Sequence, residues 1–335
     1  MPDRTTVIVL APDVDAAAAA ALIGRSAQGH VEPLVFDSER LAAFFERSVQ
    51  QRLPHGYDLA FCGLEVVHVD WDGRLVRPLL MDALRRHIGP VRWFAACRWD
   101  PEDRGAIVQM IGRGNLFVSD VAGSTAELVA ACCGLEDDAY SRMLVKLGAG
   151  VTSAGRDTSD SAELARAHAV LTALKGNHRE LAVAVSLLTE ERLADLVRNY
   201  GETADRVDAE NRRLARERAS EPRPMGTLKL VCLSLPPDKH AFWSEISAYA
   251  RQETASELAL CRLEGRPAMV LTRGREPWVD LQVWARYVTD LMPAARSVGT
   301  RPDVVPLVVD GLKDRPAMMD EVLSLMAEGS HLLKG

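Results

Sequence analysis

The chain has 335 residues, with 40 Lys and Arg against 47 Asp and Glu, for a formal net charge of −7. That balance gives no global attraction to nucleic acid, although a local basic groove stays open. With 47% hydrophobic and 26% charged residues, the class is soluble and globular, long enough for two domains with a core in each. No apolar run approaches the roughly 20 residues that span a bilayer. The opening "MPDRTT" has neither the basic region nor the apolar stretch of a signal peptide, so a cytoplasmic location is expected. Six cysteines (Cys62, Cys97, Cys132, Cys133, Cys232 and Cys261) form no C-x-x-C pair and read as small buried apolar residues. The eight histidines show no H-E-x-x-H, which argues against a zinc protease.

In chain order, "TTVIVLA" predicts a strand and "VDAAAAAALIGRSA" a helix, alanine being the best helix former. "VEPLVF", "YDLAFCGLEV", "VRWFAAC" and "NLFVSDV" are further strands. Between and after them "ERLAAFFERSVQQRL", "RPLLMDALRRHI", "DRGAIVQMIGRG" and "GSTAELVAACCG" read as helices. Apolar strands separated by amphipathic helices predict a mostly parallel sheet with helices on both faces, and ligands in such sheets sit beyond the strands' carboxyl ends. From Asp138 to about Ser220 the spacing is helical. It closes in a mixed-charge run from Asp205 to Glu221, read as a solvated connecting helix. "SEPRPMG", with Pro222, Pro224 and Gly226, marks a linker. Beyond it "TLKLVCLSL", "SELALCRLEGRPAMVLTRG" (two strands about Glu264–Gly265–Arg266) and "DVVPLVVDG" predict strands. "KHAFWSEISAYARQET", "DLQVWARYVTDLMP" and "AMMDEVLSLMAEGSHLLK" predict helices, which completes a smaller α/β domain. The expected boundaries are 1–200, a connector at 201–226, and 227–335.

Four features in this order resemble the DHH/DHHA1 phosphoesterase superfamily, which includes RecJ-like nucleases and nanoRNA and cyclic-dinucleotide phosphodiesterases. "VIVLAPDVDAAAAAALI" is similar to the family's strand, D-x-D-G signature and following helix. "YDLAFCGLEVV" is placed like the second aspartate-bearing strand, "VRWFAACRWDPED" like the strand ending in D-H-H, and "GSTAELVAACCG" like the S-T-x-E-L helix. The resemblance covers nearly the whole chain. It implies a DHH-like domain, a helical connector, a DHHA1-like domain, and two divalent metals, often manganese, that activate water and clamp a phosphate.

Asp13 and Asp15 fit the first metal motif by position; their other reading is a helix N-cap. Ala16 stands where the family has glycine. The second aspartate falls near Cys62 or Gly63, the D-H-H on about Ala95–Ala96–Cys97, and the fourth aspartate near Ala154, with Asp157 a few residues late. The family's glycine-rich G-G-G-H is also absent; its place holds "ARSVGTRPDVVPL". Substitute carboxylates are Glu65, Asp70, Asp72, Asp100, Glu102 and Asp103. For "HVDWDG" the competing reading is a polar turn, and for "WDPEDRG" a helix start capped by Asp100 with Pro101 first. Ser124 and Thr125 are either an anion site at a helix N-terminus or an N-cap. Arg273, Arg275, Arg296 and Arg301 are candidate phosphate contacts or solvated surface. Trp278 and Trp284 read as core or interface.

The expectation is a phosphoesterase-like protein that has lost two-metal catalysis and serves as a ligand-sensing or protein-interaction scaffold. No cofactor is then expected. The alternative is an active phosphoesterase for short oligonucleotides or dinucleotides, using Mn²⁺ or Mg²⁺ through a diverged site. A protein partner, a phosphate-containing small ligand or a homodimer is compatible with either, and nucleic acid and membrane are disfavoured.

Overall fold

A computed structural model describes residues 5–36, 41–50, 57–65, 70–97, 99–150, 158–274, 279–298, 304–315 and 317–333, with the side chains of 48–50 and 158–161 outside the description. Contacts divide the chain into two compact units, Met1–Val66 with Arg77–Val207, and Val67–Val76 with Asp208–Gly335.

The first unit is built on five strands: β1 (Thr6–Leu10), β2 (Val31–Val35), β3 (Asp58–Cys62), β4 (Val91–Ala95) and β5 (Leu116–Val118). They pair in the order β2-β1-β3-β4-β5, and every pair is parallel. The five residues of β1 are all buried, as a central strand covered on both faces requires. The helices are α1 (Val14–Ser26), α2 (Leu41–Gln50), α3 (Arg77–Arg86), α4 (Pro101–Ile111), α5 (Thr125–Cys133), α6 (Ala139–Gly148), α7 (Thr158–Leu174), α8 (His178–Thr189) and α9 (Leu193–Arg218). One group, α5, α6 and α8, packs around α1, while α3 packs against α2 and α4. The boundary between the units falls inside α9.

Helix α1 explains its own composition. Ala16 through Ala21 are all 0% exposed, and Leu22, Ile23 and Gly24 are buried as well. A helix buried all round must present small side chains wherever neighbouring helices come close. Arg25, in the last turn, bonds Asp138 at 2.9 Å and pairs with Glu191, while its guanidinium lies 4.9 Å from the Tyr140 ring centroid. Aromatic stacking fixes the strand ends: Phe61 lies on Trp93 at 4.4 Å, and Trp93 Nε1–H donates to the Leu64 carbonyl at 2.9 Å.

The second unit holds β6 (Arg223–Met225), β7 (Leu228–Leu235), β8 (Leu258–Leu263), β9 (Ala268–Arg273), β10 (Ala295–Ser297) and β11 (Val304–Val309), in the order β10-β11-β9-β8-β7-β6. The β7–β8 pair is parallel and the others are antiparallel. Helix α10 (Trp243–Thr254) makes the crossover from β7 to β8, and α11 (Leu281–Leu291) and α12 (Met318–Glu328) cover a core centred on Trp284. Trp284 is 0% exposed, and its Nε1–H donates to the Met326 carbonyl at 2.9 Å.

Three elements differ from the sequence expectation. Helix α8 follows Asn177, whose side chain caps it by accepting from Glu180 N, a start signal submerged in a long helical stretch. The segment read as a linker carries β6, which pairs with β7 as a short edge strand; Pro224 is tolerated there because an edge needs fewer donors. Strand β10 is three residues long, too short for a periodic signal. The cysteines also differ: Cys62, Cys232 and Cys261 are buried, but Cys97 and Cys133 are half-buried and Cys132 is exposed. Among the described residues no helix is long and apolar enough to cross a membrane.

Candidate site at the carboxyl ends of the parallel strands

Asp13 follows β1 in extended backbone (φ −140°, ψ 166°) and caps α1, its Oδ1 accepting from Ala16 N at 2.7 Å. Asp15, in the first turn of the same helix, reaches across to α5. Its Oδ2 accepts from Thr125 N at 2.7 Å and its Oδ1 from Ala126 N at 3.0 Å. Ser124 Oγ accepts from Glu127 N at 3.0 Å, and the Ser124 carbonyl from Leu128 N at 3.3 Å. The N–H groups at the start of a helix lack partners within it; those of α5 from Thr125 to Leu128 are all met by Asp15 and Ser124. Glu127 closes the turn by accepting from Gly123 N at 2.7 Å, and Thr125 Oγ1 accepts from Ala96 N at 3.2 Å, which ties α5 to the end of β4. Of the two readings offered for Ser124 and Thr125, the hydrogen bonds show Ser124 as the N-cap, with Asp15 accepting from the Thr125 and Ala126 amides. Burial pushes the Asp15 carboxyl above its ordinary 3.8, against the pull of the Ala126 and Thr125 amides.

Two glycines, Gly63 and Gly148, stand close to this arrangement. A Cβ on Gly148 of α6 would stand 2.9 Å from Asp15 Oδ1 and 2.9 Å from Ala126 Cβ. Gly63, just after β3, has φ +68°, and a Cβ there would meet Ala16 Cβ at 3.0 Å. So Ala16, where the resemblance expects glycine, fills the space in which a side chain at 63 would begin.

The other expected ligand positions supply little. Cys62 ends β3, fully buried, and its burial pushes the thiol well above 9.0, with the charges of Asp15 and Asp13 acting in the same direction. Ala95 and Ala96 end β4 with no side-chain donor atom. Asp100 caps α4 by accepting from Glu102 N at 2.8 Å, with Pro101 in the first turn. Asp103 is 3% exposed and pairs with Arg77 at 2.8 Å, and Glu102 meets the same guanidinium at 2.9 Å. Asp70 and Asp72 group with the second unit. Asp70 is 1% exposed and closes a turn by accepting from Asp72 N and Arg74 N, while Asp72 pairs with Arg266. Arg296 is held by both oxygens of Asp310 at 2.6 Å, and Arg273 donates to the Gly274 carbonyl at 2.9 Å. Ala154, Asp157, Arg275, Trp278 and Arg301 lie outside the described residues.

Mn²⁺ and Mg²⁺ are hard cations that take oxygen ligands, and a thiol kept protonated is a poor substitute. Among the described residues no group of three or more His, Cys, Asp or Glu is placed to hold a metal. Just past β1 the carboxylates are Asp13 and Asp15, and each accepts from helix amides. The described residues therefore do not fit a two-metal centre.

The fold itself has known counterparts. RecJ from Thermus thermophilus in complex with Mn²⁺ superposes with a TM-score of 0.60 at 14% identity, over 98% of this chain and 52% of that one, so the chain spans about half its length. A manganese-bound RecJ exonuclease gives 0.52 at 11% identity, over 98% and 90%. The DHH domain from a member of the s1p family of ribosomal proteins gives 0.64 at 11% identity, over 99% and 88%. At such identities the likeness is one of fold: the chain has the architecture of the RecJ and DHH-domain proteins. No protein-family model matches the sequence, and no curated relative does.

Proposed function

We propose that this chain is a non-catalytic protein on a DHH phosphoesterase scaffold, binding a phosphate-containing ligand or a protein partner without hydrolysing it. The observation that carries the reading is the use of Asp15. Asp15 commits one lone pair on each oxygen to a helix N–H, at 2.7 and 3.0 Å, and among the described residues it and Asp13 have no third His, Cys, Asp or Glu placed with them to hold a metal. The Ala16 and Gly63 pair supports it, since a Cβ at 63 would crowd the Ala16 methyl at 3.0 Å and the φ of +68° disfavours a side chain there. On this reading the chain divides into a DHH-like domain (1–200), a connector (201–226) and a DHHA1-like domain (227–335). We place it in the cytoplasm, where the exposed Cys132 would stay reduced.

The test is Mn²⁺ titration of the metal-stripped full chain by calorimetry, with hydrolysis of pApA, a short RNA and a model diester followed in parallel. The expected result is no two-ion binding and no turnover above the metal blank. Two Mn²⁺ per chain with turnover that Asp13→Asn or Asp15→Asn abolishes would establish the active phosphoesterase instead.

A further inference from the structure

Arg251 lies in the last turn of α10, partly withdrawn from water, and its Nη1–H donates to Thr272 Oγ1 on β9. Thr272 is 4% exposed. At its level the sheet neighbours are Ala259 on β8 and Val304 on β11, neither of which brings a polar side chain. Three other arginines of this unit are paired with acids: Arg216 with Glu253, Arg266 with Asp72, Arg296 with Asp310. For Arg251 no carboxylate within ion-pair reach occurs among the described residues, and its Nε–Nη2 edge carries no protein acceptor there. Burial pulls its pKa below the ordinary arginine value.

A helix-capping role does not account for this arginine. The α10 terminus is closed by its own backbone, with Ser256 N donating to the Arg251 carbonyl at 3.0 Å and Ala255, at φ 49°, turning the chain. What remains is a guanidinium fork with one N–H given to a hydroxyl and, among the described residues, no protein acceptor on its Nε–Nη2 edge. A fork of this kind matches two oxygens of a phosphate or carboxylate, and the Thr272 hydroxyl, which accepts from Arg251, keeps its proton to donate.

We propose that Arg251 and Thr272 form an oxyanion site within the second unit, taking the phosphate or carboxylate group of a small ligand. The site does not depend on the fate of the metal motifs in the first unit. The test titrates the full chain with inorganic phosphate and, separately, with acetate, at constant ionic strength, following heat of binding and the Nε–H resonances of ¹⁵N-labelled arginine. Saturable binding of one anion per chain that shifts the Arg251 resonance is expected, and whichever of phosphate or acetate binds tighter identifies the group. Arg251→Gln and Arg251→Lys should each weaken it about tenfold or more, and Arg296→Gln should leave it unchanged. Absence of saturable binding by both anions, an unmoved Arg251 resonance in the wild type, or undiminished binding by Arg251→Gln would overturn the proposal. The resonance shift needs no variant, so it decides the matter even where Arg251→Gln does not fold.

Discussion

Replacing Asp15 by alanine separates a helix clamp from a metal ligand. In the structure the carboxylate accepts two α5 amides, at 2.7 and 3.0 Å, and alanine would leave both donors without partners. Each orphaned, poorly solvated N–H costs about 1–3 kcal/mol. Burial of the charge works against those bonds and outweighs them in the carboxyl's titration, which lies above its ordinary value. We therefore expect Asp15→Ala to lose about 2–4 kcal/mol, and Asp15→Asn, which keeps one acceptor but turns an amide donor toward the other N–H, to lose about half of that. The assay is urea unfolding of the full chain in EDTA, read through Trp93 and Trp99, which pack edge to face at 5.2 Å in the same unit. The midpoint should fall in the order wild type, Asn, Ala, at constant m-value. A metal ligand behaves in the opposite way: without the ion, removing one of two neighbouring carboxylates relieves repulsion. If Asp15→Ala in EDTA were as stable as the wild type, the clamp argument would be wrong.

Stability should also depend on pH through the same group. The folded pKa of Asp15 lies above its unfolded 3.8, so between the two values the folded chain binds more protons and stability falls as pH rises. The ionised carboxylate is thus a cost at neutral pH that is absent below 3.8, and Asp15→Asn should flatten that part of the urea-midpoint profile. Gly148→Ala should destabilise by about 1–3 kcal/mol through overpacking, because the new methyl would stand 2.9 Å from both Asp15 Oδ1 and Ala126 Cβ; an unchanged thermal midpoint would contradict that close approach. Ser124→Ala removes the acceptor for Glu127 N and should cost about 1 kcal/mol, whereas Ser124→Asp should retain most of the wild-type midpoint.

Much of the fold is legible because its signals are local. The five strands of the first sheet stand where apolar runs end at turn residues. Asp100–Pro101 starts α4 as its N-cap chemistry requires, and Ser124 caps α5 with Glu127 three residues on. The D-x-D pair is likewise legible by address, at the carboxyl end of β1. What was not legible is what each carboxylate bonds to. Asp70 and Asp72 share the D-x-D spacing, yet one closes a turn and the other pairs with Arg266, 194 positions away. Arg251 gives no motif at all; its character comes from the lack of an acid around it among the described residues.

By itself the sequence determined, the start of α8 and strands β6 and β10 apart, the order of strands and helices, the caps offered by Asp100 and Ser124, and an alanine-rich helix after β1. These follow from interactions spanning about four residues, which periodicity and cap chemistry record directly. The tertiary structure alone decided that Asp15 serves Thr125 and Ala126, 110 and 111 residues downstream. It also decided that Gly148 lets α6 come close to Asp15 and to Ala126 of α5, that Ala16 meets the turn at Gly63, and that Cys62 lies buried within the field of two carboxylates. Those outcomes depend on which elements meet in space and how much water they exclude, and no local pattern in the chain encodes either quantity.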